Sequence, residues 1–167
     1  MRRRDFIQGI AASAAWPLAA LAQQTEQIRR VGVLMNTAAE HPQGQARVEA
    51  FKQRMKQLGW SETANLRIDT RWGEDDADHC RHYAVELLAL GPNVLLGAGT
   101  PAVVALRRAT RIVPIVFVQV TDPVGSGLVT SLAMPGGNAT GFMNFEFSLS
   151  GKWLELLKDI KIGRAHV

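Results

Sequence analysis

The residues best able to do chemistry stand in three short polar corners, each placed directly after an apolar run. Asn36-Thr37 follows Val31–Met35, Gly97-Ala-Gly-Thr-Pro101 follows Val94–Leu96, and Thr121-Asp122-Pro123 follows Ile115–Val120. Small residues, hydroxyls and an amide, set beside the free backbone N–H groups of a helix start, suit a carboxylate or another anion. Asp122 can accept a hydrogen bond from a ligand amine. The candidate binding residues are therefore Asn36, Thr37, Gly99, Thr100, Thr121 and Asp122. Two of them have a competing structural role. Thr100 is placed to cap a helix whose first residue is Pro101, and Asp122 to cap one beginning at Pro123.

Catalytic chemistry has fewer parts. There is no G-x-S-x-G, no H-E-x-x-H and no pair of cysteines, so neither a nucleophile–base set nor a zinc hydrolase is spelled out. Glu74, Asp75, Asp76, Asp78 and His79 have the composition of a metal site. Sequence neighbours at a helix start do not converge on one point, however, and acids there are favoured by the helix dipole. Cys80 has His79 and His82 beside it, but on a helix Cys80 and His82 point about 200° apart, so a buried small side chain is the better reading. Gly97-x-Gly99 lacks the third glycine of a dinucleotide fingerprint, Ala102 standing in its place, and Pro135-Gly-Gly137 lacks the Lys-Ser/Thr of a phosphate loop. No metal, no cofactor and no catalytic residue is expected.

These corners need a scaffold, and the flanking pattern supplies one. The apolar runs are short, partly β-branched and bounded by turn residues, as in strands buried on both faces of a parallel sheet. Leu66–Trp72 alternates instead, with Leu66, Ile68, Thr70 and Trp72 on one face, which suits an edge position. Between the strands come helices. Val48, Phe51, Met55 and Leu58 form the stripe of one over 45–58, stopped by Gly59. A second starts at Asp75 or Asp76 and runs to about Leu90, before Gly91-Pro92. Short helices follow Thr100 and cover 124–132. Ala139–Asn144 reads as a fifth strand, and 149–160 as a last helix with Leu149, Trp153, Leu156, Leu157 and Ile160 on one face. Strands and helices in alternation predict an α/β fold: a doubly wound, mainly parallel five-stranded sheet.

The two ends differ from this body. Residues 1–22 read as an export signal: Arg2–Arg4, an apolar Ile10–Leu21, and Ala20-Leu-Ala22 as a small-x-small cleavage site before Gln23. That apolar run is too short to span a bilayer, which needs roughly 20 residues. Arg3-Arg4-Asp5-Phe6-Ile7 fits a twin-arginine signal, and an ordinary secretory signal with an extra arginine fits equally. With Gln23 rather than cysteine after the cleavage site, a lipid anchor there is excluded, and in a Gram-negative cell the product would be soluble and periplasmic. Residues 162–167, Ile-Gly-Arg-Ala-His-Val, match the translation of a common sequencing adapter and read as a non-native tail.

The chain carries 19 Lys/Arg against 15 Asp/Glu. Much of that excess sits in Arg2, Arg3, Arg4 and Arg164, and the body between is nearly balanced. Nucleic acid is therefore not an expected partner.

Val120-Thr-Asp-Pro-Val-Gly-Ser-Gly-Leu128 followed by Pro135-Gly-Gly-Asn-Ala-Thr-Gly141 resembles the ABC-transporter substrate-binding proteins of the tryptophan/tyrosine-binding, TrpX-like kind. So do Gly99-Thr-Pro101, Leu106-Arg-Arg-Ala-Thr110 and Pro114-Ile-Val-Phe117. The resemblance implies a type I periplasmic binding protein, with two α/β lobes closing on a small molecule that passes to an inner-membrane ABC permease. The ligand class it suggests is an amino acid, in particular an aromatic one. On this reading 23–143 is the N-terminal lobe, and 144–161 is a hinge crossing plus the first helix of a truncated second lobe. An exported α/β enzyme and the ligand-sensing domain of a receptor are the alternatives.

Overall fold

The computed structural model describes residues 28–144 and 148–162. The expected signal segment 1–22, part of the crossing at 145–147 and most of the tail lie outside them. In chain order the elements are β1 (Arg29–Met35), α1 (Pro42–Gln57), β2 (Leu66–Trp72), α2 (Ala77–Ala89), β3 (Val94–Ala98), α3 (Thr100–Ala109), β4 (Ile115–Val120), β5 (Ala139–Met143) and α4 (Ser148–Ile162). The five strands form one sheet in the order β2-β1-β3-β4-β5. Every neighbouring pair is parallel. The alternating strand, β2, is at an edge as its pattern requires.

Two apolar layers sandwich the sheet. On one face Leu34, Leu95, Ile115 and Phe117 pack with Cys80, Ala84 and Leu87 of α2 and Ala102, Val103 and Leu106 of α3. Those α2 positions fall on one stripe, at i, i+4 and i+7. On the other face Val31, Val33, Met35, Leu66 and Ala98 meet Val48, Phe51 and Met55 of α1. Strands covered on both sides lose their polar positions, which is why three of them read as unbroken apolar runs.

Local chemistry sets the helix ends. The Asp76 carboxylate accepts from the backbone N–H of Asp78 at 2.6 Å and of His79 at 3.0 Å, so this acid is the N-cap of α2. Leu58 was expected to extend the stripe of α1. It is instead the C-cap and 59% exposed, because the chain turns at Gly59 (φ +87°) and Trp60 takes up the packing.

The expected helix over 124–132 does not form. Residues 123–127 are a run of turns, and the connection stays irregular up to β5. Gly125 and Gly127 each disfavour helix by about 1 kcal/mol relative to alanine, and the burial of Leu128 and Val129 holds the turns in place. Their backbone N–H groups both donate to the Pro123 carbonyl, at 2.9 and 3.1 Å. Asn138 anchors the far end, donating from Nδ2 to the Val113 carbonyl at 2.7 Å and accepting from Arg107 Nη1 at 2.9 Å.

β5 closes onto β4 through a glycine. A Cβ on Gly141 would sit 2.0 Å from the Phe117 carbonyl oxygen, a backbone atom that cannot swing aside. Gly141→Ala is expected to destabilise the fold by about 1–3 kcal/mol, read as a lowered midpoint in urea at unchanged slope. Gly151→Ala, on a helix surface with nothing within 4 Å, is the matched control and should be stabilising by about 0.5–1 kcal/mol.

Candidate functional site

The chain leaves β1 for β2 on one side and afterwards adds β3, β4 and β5 on the other. The strand order therefore reverses between β1 and β3, and α1 departs to one face while α2 and α3 cover the other. Such a switch point opens a crevice beyond the carboxyl ends of the two strands. Asn36-Thr37 and Gly99-Thr100 are the corners that flank it.

These two corners touch. The Asn36 N–H donates to the Ala98 carbonyl at 3.0 Å. A Cβ on Gly99 would lie 2.8 Å from the Asn36 Cβ. Gly99 has φ +91° and ψ 150°, a conformation open in practice to glycine alone. It is Gly99, not Thr100, that occupies the N-cap of α3. Thr100 and Pro101 are the first helical residues, and no side chain caps the helix. The capping role expected for Thr100 is thus absent, because the chain turns one residue earlier, where only glycine can turn it. The helix start is left open toward the crevice, with its dipole and first-turn N–H groups unanswered by any side chain.

Asn36 is a brace. Its Nδ2 donates to Asp75 Oδ1 in a short bond, its carbonyl accepts from the Asp75 N–H at 2.5 Å, and Cys80 Sγ stands 4.0 Å from its Oδ1. Gly73 N–H to the Met35 carbonyl at 2.7 Å and Glu74 N–H to the Thr37 carbonyl at 3.3 Å complete the clamp between the turn after β2 and the corner after β1. In that turn Glu74 and Asp75 both have positive φ, 54° and 56°. Asp75 thereby reaches the rim, which no periodicity in the sequence signals. Thr37 carries a buried hydroxyl oxygen with no hydrogen-bond partner, over the spot where a Cβ on Gly44 would come within 2.6 Å.

Thr121 and Asp122 lie at the end of β4, both exposed. The Gly99 N–H donates to the Val118 carbonyl at 3.0 Å, tying the corner after β3 to the β4 residues just before this one. Asp122 Oδ1 accepts from the Gly125 N–H at 2.7 Å, and its carbonyl accepts from the Ser126 N–H at 3.1 Å and from the Ser126 hydroxyl. The aspartate caps a turn rather than a helix. Among the described residues it makes no hydrogen bond to the other two corners.

Two further groups stand near this edge. Gln119 has φ +60°, at an irregularity in the pairing of β4 with β5 between Phe117 and Val120. With its amide oxygen turned to the guanidinium, it accepts from Arg47 Nη1 at 2.9 Å, Nη2 at 3.0 Å and Nε at 3.2 Å. Together they supply the polar side chains of a groove of about 430 Å³ otherwise walled by residues such as Val33, Met35, Phe51, Val118 and Phe142. The one trace in sequence is a glutamine interrupting the apolar run Ile115–Val120.

Asn36→Ala should lower stability by about 1–2 kcal/mol through the lost bond to Asp75. It should also speed native-state labelling of Cys80, which is 0% exposed, by a small disulfide reagent. Burial, followed by the nearby Asp76 and Asp75 charges, holds the Cys80 thiol above its ordinary pKa. The unfolded chain then releases this proton first. Stability is full below the ordinary thiol value and falls as pH rises through it toward the folded value. Cys80→Ala should remove that alkaline loss, measurable as urea midpoints at pH values from neutral up through the thiol range.

Residues 30–161 match the family model for ABC transporter substrate binding proteins. A tyrosine-binding protein of Clostridioides difficile strain R20291 is 28% identical over 138 residues, 83% of this chain and 39% of that protein. A conserved domain protein from Vibrio cholerae aligns at a TM-score of 0.69 with 33% identity, over 79% of this chain and 43% of its own. The structure of an ABC domain in complex with L-Trp, from Streptococcus pneumonia, aligns at 0.63 with 30% identity, over 69% and 38%. The chain thus spans about two fifths of the length of the relatives it matches. With nearly all of its described residues inside the matched region and the all-parallel α/β sheet those structures share, the chain belongs to the ABC transporter substrate-binding protein family.

Proposed function

We propose that this polypeptide forms the first lobe of an exported solute-binding protein of an ABC uptake transporter, and that its C-terminal rim is one wall of the ligand cleft. The observation that carries this reading is the uncapped start of α3 at the switch point between β1 and β3. A helix terminus left open there is a ready receptor for a carboxylate. Thr100 is the first residue of that helix, and Thr37, whose unpartnered hydroxyl is buried beside Gly44, belongs to the corner after β1.

The ligand is an amino acid with an aromatic side chain. A tyrosine-binding relative and a relative in complex with L-Trp support that class. Its carboxylate sits at the start of α3, its amine reaches Asp122 or Thr121, and the second lobe closes over the ring. Asn36 takes the role of positioning the corner, since its amide is already committed to Asp75. The partners are this small molecule and an inner-membrane ABC permease, and the protein acts in the periplasm. Among the described residues no helix is long and apolar enough to cross a membrane.

Thermal shift and calorimetry on the full-length protein test this. L-Tyr, L-Trp and L-Phe are compared with tyramine and tryptamine, which lack the carboxylate. At about 100 times its dissociation constant a ligand adds about 2.7 kcal/mol of stability, so the L-amino acids should raise the melting temperature by several degrees. The amines should bind at least tenfold more weakly. Gly99→Ala should weaken the amino acids while leaving the protein folded. Stabilisation by none of the amino acids would sink the ligand assignment, and equal binding of the amines would sink the role given to α3.

A further inference from the structure

The opposite edge of the sheet has a chemistry of its own. Arg107 and Arg108 close the last turn of α3, and Arg111 follows just beyond its C-cap, Thr110. With Val104, Ser126 and Leu128 the three arginines line a concavity of about 180 Å³. Arg107 spends one donor on Asn138 Oδ1, at 2.9 Å. Arg108 and Arg111 are exposed and make no ion pair or hydrogen bond among the described residues. Three other arginines meet carboxylates: Arg30 meets Asp69 at 2.7 Å, Arg71 meets Glu86 at 2.8 Å, and Arg81 meets Asp78. Asp122 is the sole acid between Glu86 and Glu146, and its carboxylate is engaged in capping the turn that carries Ser126, accepting from the Gly125 N–H at 2.7 Å.

Cations in the last turn of a helix balance its dipole, and that accounts for Arg107 and Arg108. It does not account for Arg111, which lies past the helix and closes the concavity against the Ser126–Leu128 turn. Three guanidinium groups of one sign in a small recess focus a positive potential, and their planar forks match the oxygens of a phosphate group two at a time. The Ser126 hydroxyl, which donates its proton to the Asp122 carbonyl, keeps its oxygen as an acceptor and so favours a protonated oxyanion such as hydrogen phosphate. Ile112, 88% exposed, stands in sequence between Arg111 and Val113, and gives the recess an apolar neighbour.

We infer that this recess is a binding site for a phosphate-class oxyanion, at the opposite end of α3 from the helix start assigned to the solute. The phosphate is either free in solution or the headgroup of an anionic lipid at the membrane surface. This inference does not rest on the ligand assigned to the cleft, and its test is read without that ligand.

Inorganic phosphate is titrated into the full-length protein in low-salt buffer by calorimetry. In parallel, the protein is sedimented with large vesicles of phosphatidylcholine containing about 30% phosphatidylglycerol, whose surface is anionic, and with vesicles of pure phosphatidylcholine. The expected result is saturable binding in at least one arm that weakens as salt screens the charges. Arg108→Gln with Arg111→Gln should weaken it at least tenfold, with an unchanged circular dichroism spectrum and unchanged thermal stability. Ile112→Ser separates the sources: it lowers vesicle binding if the headgroup is the ligand and leaves phosphate binding as it was if the free anion is. Absence of saturable binding in both arms overturns the inference, as does a double variant that binds like the parent.

Discussion

The candidate rim depends on how closely the ends of β1 and β3 approach. Asn36 and Gly99 meet there with no room for a Cβ, and the contact is possible because Gly99 takes a backbone conformation closed to other residues. From that contact follow the position of the α3 start, the lack of a side-chain cap on it and the direction in which Asn36 points. Asn36 in turn carries the turn after β2, through Asp75, and meets the buried Cys80 behind it. One close approach between two parallel strands therefore fixes three loops that are distant in sequence. A larger residue at Gly99 would disturb the whole rim, not the α3 start alone.

The sheet beneath is built to hold that rim rigid. Helices cover both faces: α2 and α3 interlock with the central strands on one side, and α1 lies on the other. Among the described residues no polar or charged residue is fully buried, and the buried side-chain oxygen left without a partner is that of Thr37, at the rim and not in the core. Rigidity of this kind suits binding, where holding donors in place before the ligand arrives reduces the ordering cost of association.

The architecture was legible in the residues because its signals are local. Apolar runs bounded by glycine, proline and asparagine marked the strands of a parallel sheet, and the period-two alternation of Leu66–Trp72 marked the edge. Where sequence reading failed, the deciding contact was long-range or the local balance was close. The stretch after Pro123 has helix-like spacing, but two glycines and the burial of Leu128 and Val129 turn it into a chain of turns. Thr100 has the chemistry of a cap, and the backbone freedom of Gly99 displaced it by one residue. The Asn36–Asp75 and Arg47–Gln119 pairs join residues 39 and 72 positions apart, and no pattern in a single sequence announces such pairings. The acidic run 74–78 looked uniform, yet its members divide the work: Asp76 caps α2, while Asp75 is turned to the rim.

Backbone strain distinguishes the two edges of the sheet without reference to any relative. The described non-glycine residues with positive φ are Glu74, Asp75 and Gln119, and all three lie at or just past the carboxyl ends of β2 and β4. Each such residue costs on the order of 1–3 kcal/mol and persists where surrounding contacts over-determine it. Here the contacts are visible: the Asn36 clamp holds Asp75, and Arg47 holds Gln119. A fold selected for stability alone would relax these positions with glycine, which removes the strain at no steric cost. Retaining side chains there makes sense if those side chains have a use at that edge. The amino edge carries no such strain among the described residues, and its arginines are placed by an ordinary helix end and bend. The two edges therefore differ in kind: one is held in a costly shape, and the other is held in an easy shape but left with unanswered charge.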